Sequence, residues 1–140
     1  MVVIKRFASL LSLCFTASAT FNIYNATNLE NKNVGDACVK ALSADIACPA
    51  HLRSFMAPSY HGSLGNVSLT DEICTGTCSA SLKNWFNTVI TACADEEFGD
   101  GFPQRYGGYI WAGWNETCIR DPKTKKHCNG RFEPETAVCA

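Results

Sequence analysis

The sequence predicts a mainly α-helical fold, a small disulfide-stapled helical domain with an irregular C-terminal part for which a β-hairpin is one interpretation. Apolar residues in 74–93 recur with the period of a helix, at offsets 0, 4, 7, 8, 11 and 15 from Cys78. Beyond the N-terminal apolar run, an even number of cysteines in a short chain is typical of a four-disulfide framework. These eight residues are Cys38, Cys48, Cys74, Cys78, Cys93, Cys118, Cys128 and Cys139.

Residues 1–19 are predicted to be a signal peptide. Lys5 and Arg6 precede an apolar run, and the run ends in the small-residue sequence Ala-Ser-Ala at 17–19. The run is shorter than the roughly 20 apolar residues of a membrane-spanning helix, so no membrane association is expected after cleavage. Cleavage after Ala19 leaves 121 of the 140 residues, enough for one small extracellular domain.

The mature chain is divided into an irregular N-terminal tail, residues 20–35, and one cysteine-rich domain, residues 36–140. Asp36 is predicted to cap a helix over 37–47, which ends before Pro49. A short helix over 51–56 is expected next. Ser68 or Thr70 is then predicted to cap a helix start, with Gly76 interrupting the chain before the main helix.

After residue 101 the pattern changes. Glycines separate the aromatic residues, which predicts short extended segments with tight turns. The stretch 118–128 encloses Asp121-Pro122-Lys123-Thr124, a turn sequence that favours a hairpin or an irregular loop. Residues 129–140, the C-terminal strap, are expected to be held by Cys139.

Spacing does not determine which cysteines pair, but helix packing narrows the choice. If helix 37–47 packs antiparallel on the main helix, Cys38 lies near Cys93 and Cys48 lies near Cys74 and Cys78. We therefore expect Cys38 to pair with Cys93 and Cys48 to pair with Cys74 or Cys78. The remaining member of that pair is expected to bond to the C-terminal strap.

Charge argues against a nucleic-acid partner. Loss of Lys5 and Arg6 leaves ten basic residues against thirteen acidic ones, a formal net charge of −3. Nucleic-acid binding needs a clustered basic face. The cluster Lys123, Lys125 and Lys126 is interpreted as a solvated turn.

The residues offer weak support for catalysis or metal binding, and neither a catalytic residue nor a cofactor is expected. A glycosidase needs two placed carboxylates, but the acidic cluster is better explained as a solvated turn; it comprises Asp95, Glu96, Glu97 and Asp100. The histidines His51, His61 and His127 lie in no nucleophile motif. Zinc ligation by Cys74, Cys78, His127 and Cys128 lacks a recognised spacing.

Two further groups of residues are candidates for surface chemistry. Three sequons predict N-glycans at Asn25, Asn66 and Asn115. Four aromatic residues could form a stacking platform for sugar rings, although completion of a small core is the favoured interpretation. These four are Tyr106, Tyr109, Trp111 and Trp114.

Three segments together resemble a known family. They are CVKAL…CPAHL over 38–52, LT…CTGTCSASLKNW…V…C over 69–93, and NETCIRDP…HCN over 115–129. This order looks like the cysteine-rich segment that accompanies LysM modules in secreted fungal proteins. The resemblance implies an effector-like or cell-wall-associated protein, and some proteins of this class bind chitin. In that family the LysM module itself binds chitin, and no convincing copy is present here, so no chitin-binding residue is carried over.

We therefore expect a secreted, non-catalytic, glycosylated protein linked to chitin or another cell-wall polysaccharide. The alternative is an apoplastic interaction protein that binds a host extracellular protein and has no glycan affinity. A small glycoside hydrolase is the least favoured interpretation.

Overall fold

The structure is a computed structural model. It describes residues 19–29, 33–57, 60, 64–96 and 103–128, and of 103–106 the backbone alone. Nearly all of the predicted signal peptide and the C-terminal strap lie outside the described residues.

The described chain is mainly helical, as the sequence predicts. Five α-helices and one 3-10 helix follow one another: α1 Ala26–Leu29, α2 Asp36–Leu42, the 3-10 helix Ala50–Met56, α3 Val67–Ile73, α4 Gly76–Ala92 and α5 Pro103–Thr117. Helix α4 packs against α2 and α5, and α5 also packs against the 3-10 helix. The long helix expected from the apolar period of 74–93 is therefore the centre of the fold.

The apolar face of α4 is buried as its period predicts. Cys78, Leu82, Trp85 and Val89 all lie in the core. Helix α3 ends at Ile73, and α4 begins at Gly76 after Thr75, whose side-chain oxygen accepts a hydrogen bond from the Cys78 amide at 3.2 Å. The predicted interruption at Gly76 is confirmed.

Helix α2 is shorter than predicted. It ends at Leu42 rather than at residue 47, because Ile46 forms an antiparallel bridge with Phe21 through two backbone hydrogen bonds of 2.7 and 3.0 Å. The predicted cap at Asp36 is wrong. The N-cap is Gly35, and its amide donates to the Glu96 carboxylate at 2.8 Å.

Two other expectations near the N-terminal side need correction. The side chain of Asn66, and not Ser68 or Thr70, caps α3 by accepting a hydrogen bond from the Leu69 amide. The segment predicted to be an irregular tail includes helix α1 and contributes Phe21 and Leu29 to the core, each 6% exposed. Burial of these two apolar side chains stabilises the ordered conformation of the segment.

Disulfides join the helices at their ends. Cys38 bonds to Cys93 and Cys48 bonds to Cys78, in agreement with the antiparallel packing expected for α2 and α4. The third bridge differs from the prediction, because Cys74 bonds to Cys118 and not to the C-terminal strap. Helix α5 carries the chain back to the C-terminal end of α3, which brings these two cysteines together.

The expected turn after α5 is present. Arg120 and His127 form an isolated antiparallel bridge, and the Asp121 amide donates to the Lys126 carbonyl at 2.9 Å. We call residues 119–128 the basic hairpin. It is the only part of the predicted C-terminal irregular region with strand-like pairing among the residues described beyond 103.

Candidate functional site on helix α5

Helix α5 replaces the extended segments predicted between residues 102 and 114. Proline at its first position, Pro103, suits a helix start because no intrahelical partner is lost there. Gly107 and Gly113 lie inside the helix, where they permit close packing. A Cβ at Gly107 would lie 2.8 Å from Cζ3 of Trp85, and one at Gly113 would lie 3.2 Å from the Phe55 ring.

The prediction of turns at these glycines is therefore wrong, because they are packing positions inside a helix. In α5, Gly107, Ile110, Trp114 and Thr117 recur at offsets 0, 3, 7 and 10, which is a helical period. This signal was in the sequence, but two of its four members, a glycine and a threonine, do not look apolar. Both are nonetheless buried, and Thr117 is hydrogen-bonded through its hydroxyl to the hydroxyl of Tyr60.

Trp111 and Trp114 form a stacked pair on α5. Their rings are nearly parallel, 3° apart, with centroids separated by 5.7 Å. Nε1 of Trp114 donates a hydrogen bond to the Ile73 carbonyl at 2.8 Å, which holds the ring against α3. Both indoles are half-buried against the core. The pair thus combines a ring held by a hydrogen bond, Trp114, with a second half-buried ring, Trp111, that is stacked on it.

Tyr109 does not join this pair. It is 53% exposed. Because residues two apart in a helix lie about 200° apart around the axis, Tyr109 and Trp111 leave α5 on opposite sides. The side chain of Tyr106 lies outside the described residues. The described aromatic candidates therefore form two separate surfaces, one at Tyr109 and one at Trp111 and Trp114.

The three sequon asparagines are all exposed. Asn25 accepts hydrogen bonds from the Thr27 amide and hydroxyl, and Asn66 caps α3, both through Oδ1. Asn115 donates through Nδ2 to the Trp111 carbonyl at 2.9 Å. Since Nδ2 carries two hydrogens, a glycan bond at any of these asparagines leaves the stated contact possible.

The polar candidates for catalysis are dispersed and serve structural contacts. Glu96 binds the Gly35 amide, and Nε2 of His51 lies 3.2 Å from the Leu69 carbonyl. Nε2 of His127 lies 3.1 Å from an Asp71 carboxylate oxygen. Three further candidates lie outside the described residues, namely His61, Glu97 and Asp100.

A shallow groove of about 260 Å³ lies beside the N-terminal end of α4, between Pro49 and Thr75. Its lining contains one carboxylate, Glu72, whereas glycoside hydrolysis uses two. Cys74 and Cys78, considered above as zinc ligands, are both in disulfides. Within the described residues there is no group of three side chains suited to holding a metal ion.

Comparison with known proteins identifies the family of the chain. Residues 19–129 match the family described as the secreted LysM effector N-terminal domain. The chain belongs to this family. It is 33% identical over 108 residues to the non-secreted LysM effector LysM15 of Penicillium expansum, and 27% identical over 96 residues to LysM19 of the same fungus. It is also 25% identical over 130 residues to a LysM domain-containing protein of Arthroderma benhamiae.

These LysM relatives are much longer than the matched region. The matches cover 77%, 69% and 84% of this chain, but only 8%, 8% and 24% of the relatives, in the same order. No solved structure matches the chain. The family is described as secreted, whereas two relatives are named non-secreted. None of the helices described here is long and apolar enough to cross a membrane.

Proposed function

We propose that this LysM-effector domain is a secreted, N-glycosylated, non-catalytic protein that binds chitin or a related cell-wall polysaccharide through Trp111 and Trp114. The stacked indole pair carries this proposal. Aromatic faces offer sugar rings a large apolar area with a polar edge. A pair that is already packed and hydrogen-bonded loses little side-chain entropy when a ligand stacks on it.

Non-catalytic action is supported by how the polar residues are used. Glu96 and His51 each bind a backbone group, and His127 pairs with Asp71. None of these contacts joins an acid to a base around an open cleft, which acid–base catalysis requires.

Secretion and glycosylation are supported by the disulfides and by the exposed sequons. Three bridges between helices are typical of an oxidising compartment. Expression in a eukaryotic secretory host should give a product that loses up to three glycans on treatment with an endoglycosidase. Replacing Asn25, Asn66 and Asn115 singly by Gln should each remove one glycan.

A sedimentation assay on insoluble chitin, with cellulose and β-glucan alongside, tests the binding proposal. Trp111→Ala should lose about tenfold in affinity, which corresponds to roughly 1.4 kcal/mol. Trp111→Phe should keep most of the binding because a stacking face remains. Tyr109→Ala is the matched control, since it removes an exposed aromatic residue from the opposite side of α5.

Two results would contradict the proposal. If none of the polysaccharides retains the wild-type protein, glycan binding by this domain is excluded. Equal losses for Trp111→Ala and Tyr109→Ala would show that retention does not depend on the tryptophan pair.

Tyr109 favours a second candidate function, an interface for a host extracellular protein without glycan affinity. Tyrosine is enriched at protein interfaces, and this one is 53% exposed on a packed helix. Co-precipitation from host extracellular fluid should then recover a specific protein with the wild type and lose it with Tyr109→Ala. Recovery of the same proteins by both would exclude this surface.

A further inference from the structure

We infer that the basic hairpin, residues 119–128, binds an acidic polysaccharide of the uronic-acid type through Arg120, Lys123, Lys125 and Lys126. This surface is separate from the proposed tryptophan site. Its ligand is a carboxylate polymer, whereas chitin is uncharged.

Charge is concentrated at this hairpin. Its four basic residues stand against a single acid, Asp121, giving a net charge of +3. Because the whole chain carries −1, the remaining residues together carry −4. A single-sign patch on an oppositely charged protein focuses attraction for a charged polymer on one place.

The four basic side chains are available to a ligand. All four residues are exposed, and none of them forms an ion pair with a carboxylate in the part of the chain that the structure describes. The one acid of the hairpin is directed to the backbone. Its Oδ1 accepts hydrogen bonds from the Lys123 and Thr124 amides at 2.8 and 2.6 Å.

The hairpin is attached to the rest of the domain and is not a loose solvated turn. At its base, Cys118 is bonded to Cys74, the C-cap residue of α3, and the Cys128 amide donates to the Ile119 carbonyl at 2.9 Å. The contact between Nε2 of His127 and the Asp71 carboxylate, at 3.1 Å, holds the returning arm against α3. A fixed arrangement of cations loses less entropy on binding than a mobile one.

The backbone conformation of Lys125 also supports a binding role for the hairpin. Its φ is +61°, in the left-handed region, where glycine or asparagine is ordinarily found. Lysine has no side-chain feature that eases this conformation. Strained residues concentrate at binding and catalytic sites, so a lysine kept at a glycine position favours a role for its charge.

The residue types favour carboxylates over nucleic acid or a membrane. Three of the four cations are lysines, which act as point charges and need no planar bidentate partner. The hairpin contains no aromatic residue to stack on bases or to anchor at a lipid interface. An extended uronate polymer needs only spaced positive charges.

Polygalacturonate is the probe for this proposal, and the fully methyl-esterified polymer is its uncharged counterpart. The full chain from an oxidising secretory host should bind polygalacturonate in low salt and release it by about 0.5 M NaCl. It should not bind the methyl ester. Lys123→Gln with Lys126→Gln should weaken binding about tenfold. The matched control, Lys40→Gln with Lys83→Gln, removes the same charge from exposed positions on α2 and α4 and should change affinity less than twofold.

Lys125→Gly separates binding from folding. It removes one cation and also the backbone strain, so polygalacturonate affinity should fall severalfold while Tm rises by roughly 2–5 °C. A variant that binds less well because it unfolds would instead show a lower Tm.

Several results would overturn the inference. These are equal binding of the methyl ester, equal losses in the two double variants, or tighter binding to phosphatidylserine vesicles or duplex DNA than to polygalacturonate. Trp111→Ala should leave polygalacturonate binding unchanged. Failure on chitin therefore tests the proposed function alone, and failure on polygalacturonate tests the hairpin alone.

Discussion

Adjacent glycines in α5, Gly107 and Gly108, should respond in opposite directions to replacement by alanine. Alanine in a helix is more favourable than glycine by about 0.5–1 kcal/mol. At Gly108 a Cβ would meet its nearest neighbour, Phe86 Cε2, at 3.9 Å, an ordinary contact. Gly108→Ala should therefore stabilise the protein by about 0.5–1 kcal/mol.

At Gly107 the same change introduces a clash. The Cβ would lie 2.8 Å and 3.1 Å from two atoms of the Trp85 indole and 3.3 Å from Phe86. Trp85 is only 3% exposed, so its ring cannot swing into solvent. Overpacking of this kind costs about 1–3 kcal/mol, which exceeds the helix gain. Gly107→Ala should therefore be less stable than Gly108→Ala by about 1–3 kcal/mol.

Urea unfolding with disulfides intact, followed by tryptophan fluorescence and far-ultraviolet circular dichroism, measures this difference as free energies of unfolding. The combination of Gly107→Ala with Trp85→Phe completes a double-mutant cycle. Phenylalanine lacks the outer indole ring, so the two changes together should cost less than the sum of their separate effects. Close packing of α5 on α4 would be refuted if Gly107→Ala had the same free energy of unfolding as Gly108→Ala, or if the double-mutant cycle gave no coupling free energy.

Two further predictions concern caps and charge. Asn66→Ala should destabilise the protein by about 1 kcal/mol because α3 loses its cap, whereas Asn66→Asp keeps an acceptor and should stay within a few tenths of wild type. Asn66→Ala, Asn66→Asp and Ser68→Ala all remove the sequon. Differences among their free energies of unfolding therefore report the loss of the cap and not the loss of the glycan. Backbone hydrogen bonds, from Thr124 first, lower the pKa of Asp121. Its ionised form therefore stabilises the hairpin above the ordinary aspartate pKa of about 4, and this contribution is lost as pH falls through the lowered value. Asp121→Asn should accordingly be less stable than wild type at pH 7, and the difference should shrink as pH falls through the lowered pKa. A difference independent of pH would contradict the role of the charge.

Helix periods were readable from the sequence wherever the core positions were apolar. In α4 the core residues Leu82, Trp85 and Val89 stand at helical spacing, and their burial follows from it. In α5 the period was hidden, because small residues at Gly107 and Gly113 fill positions where another side chain fits against them. A pattern of apolar residues cannot reveal a position whose requirement is the absence of a side chain.

Features of the candidate sites likewise depend partly on local sequence and partly on tertiary structure. The sequence alone determined the cysteine-rich composition, the helical class, the three sequons and the identity of the aromatic residues, because these depend on residue type and local spacing. Only the tertiary structure decided that Tyr109 and Trp111 lie on opposite sides of α5, and that Trp114 is held by the Ile73 carbonyl. It also decided that Cys74 meets Cys118 and that Lys125 takes a left-handed backbone conformation. The disulfide and the Trp114 hydrogen bond depend on which helices pack together, and that geometry is set by contacts between residues far apart in the chain. The other two features follow from the backbone conformation that the folded chain adopts at α5 and at Lys125.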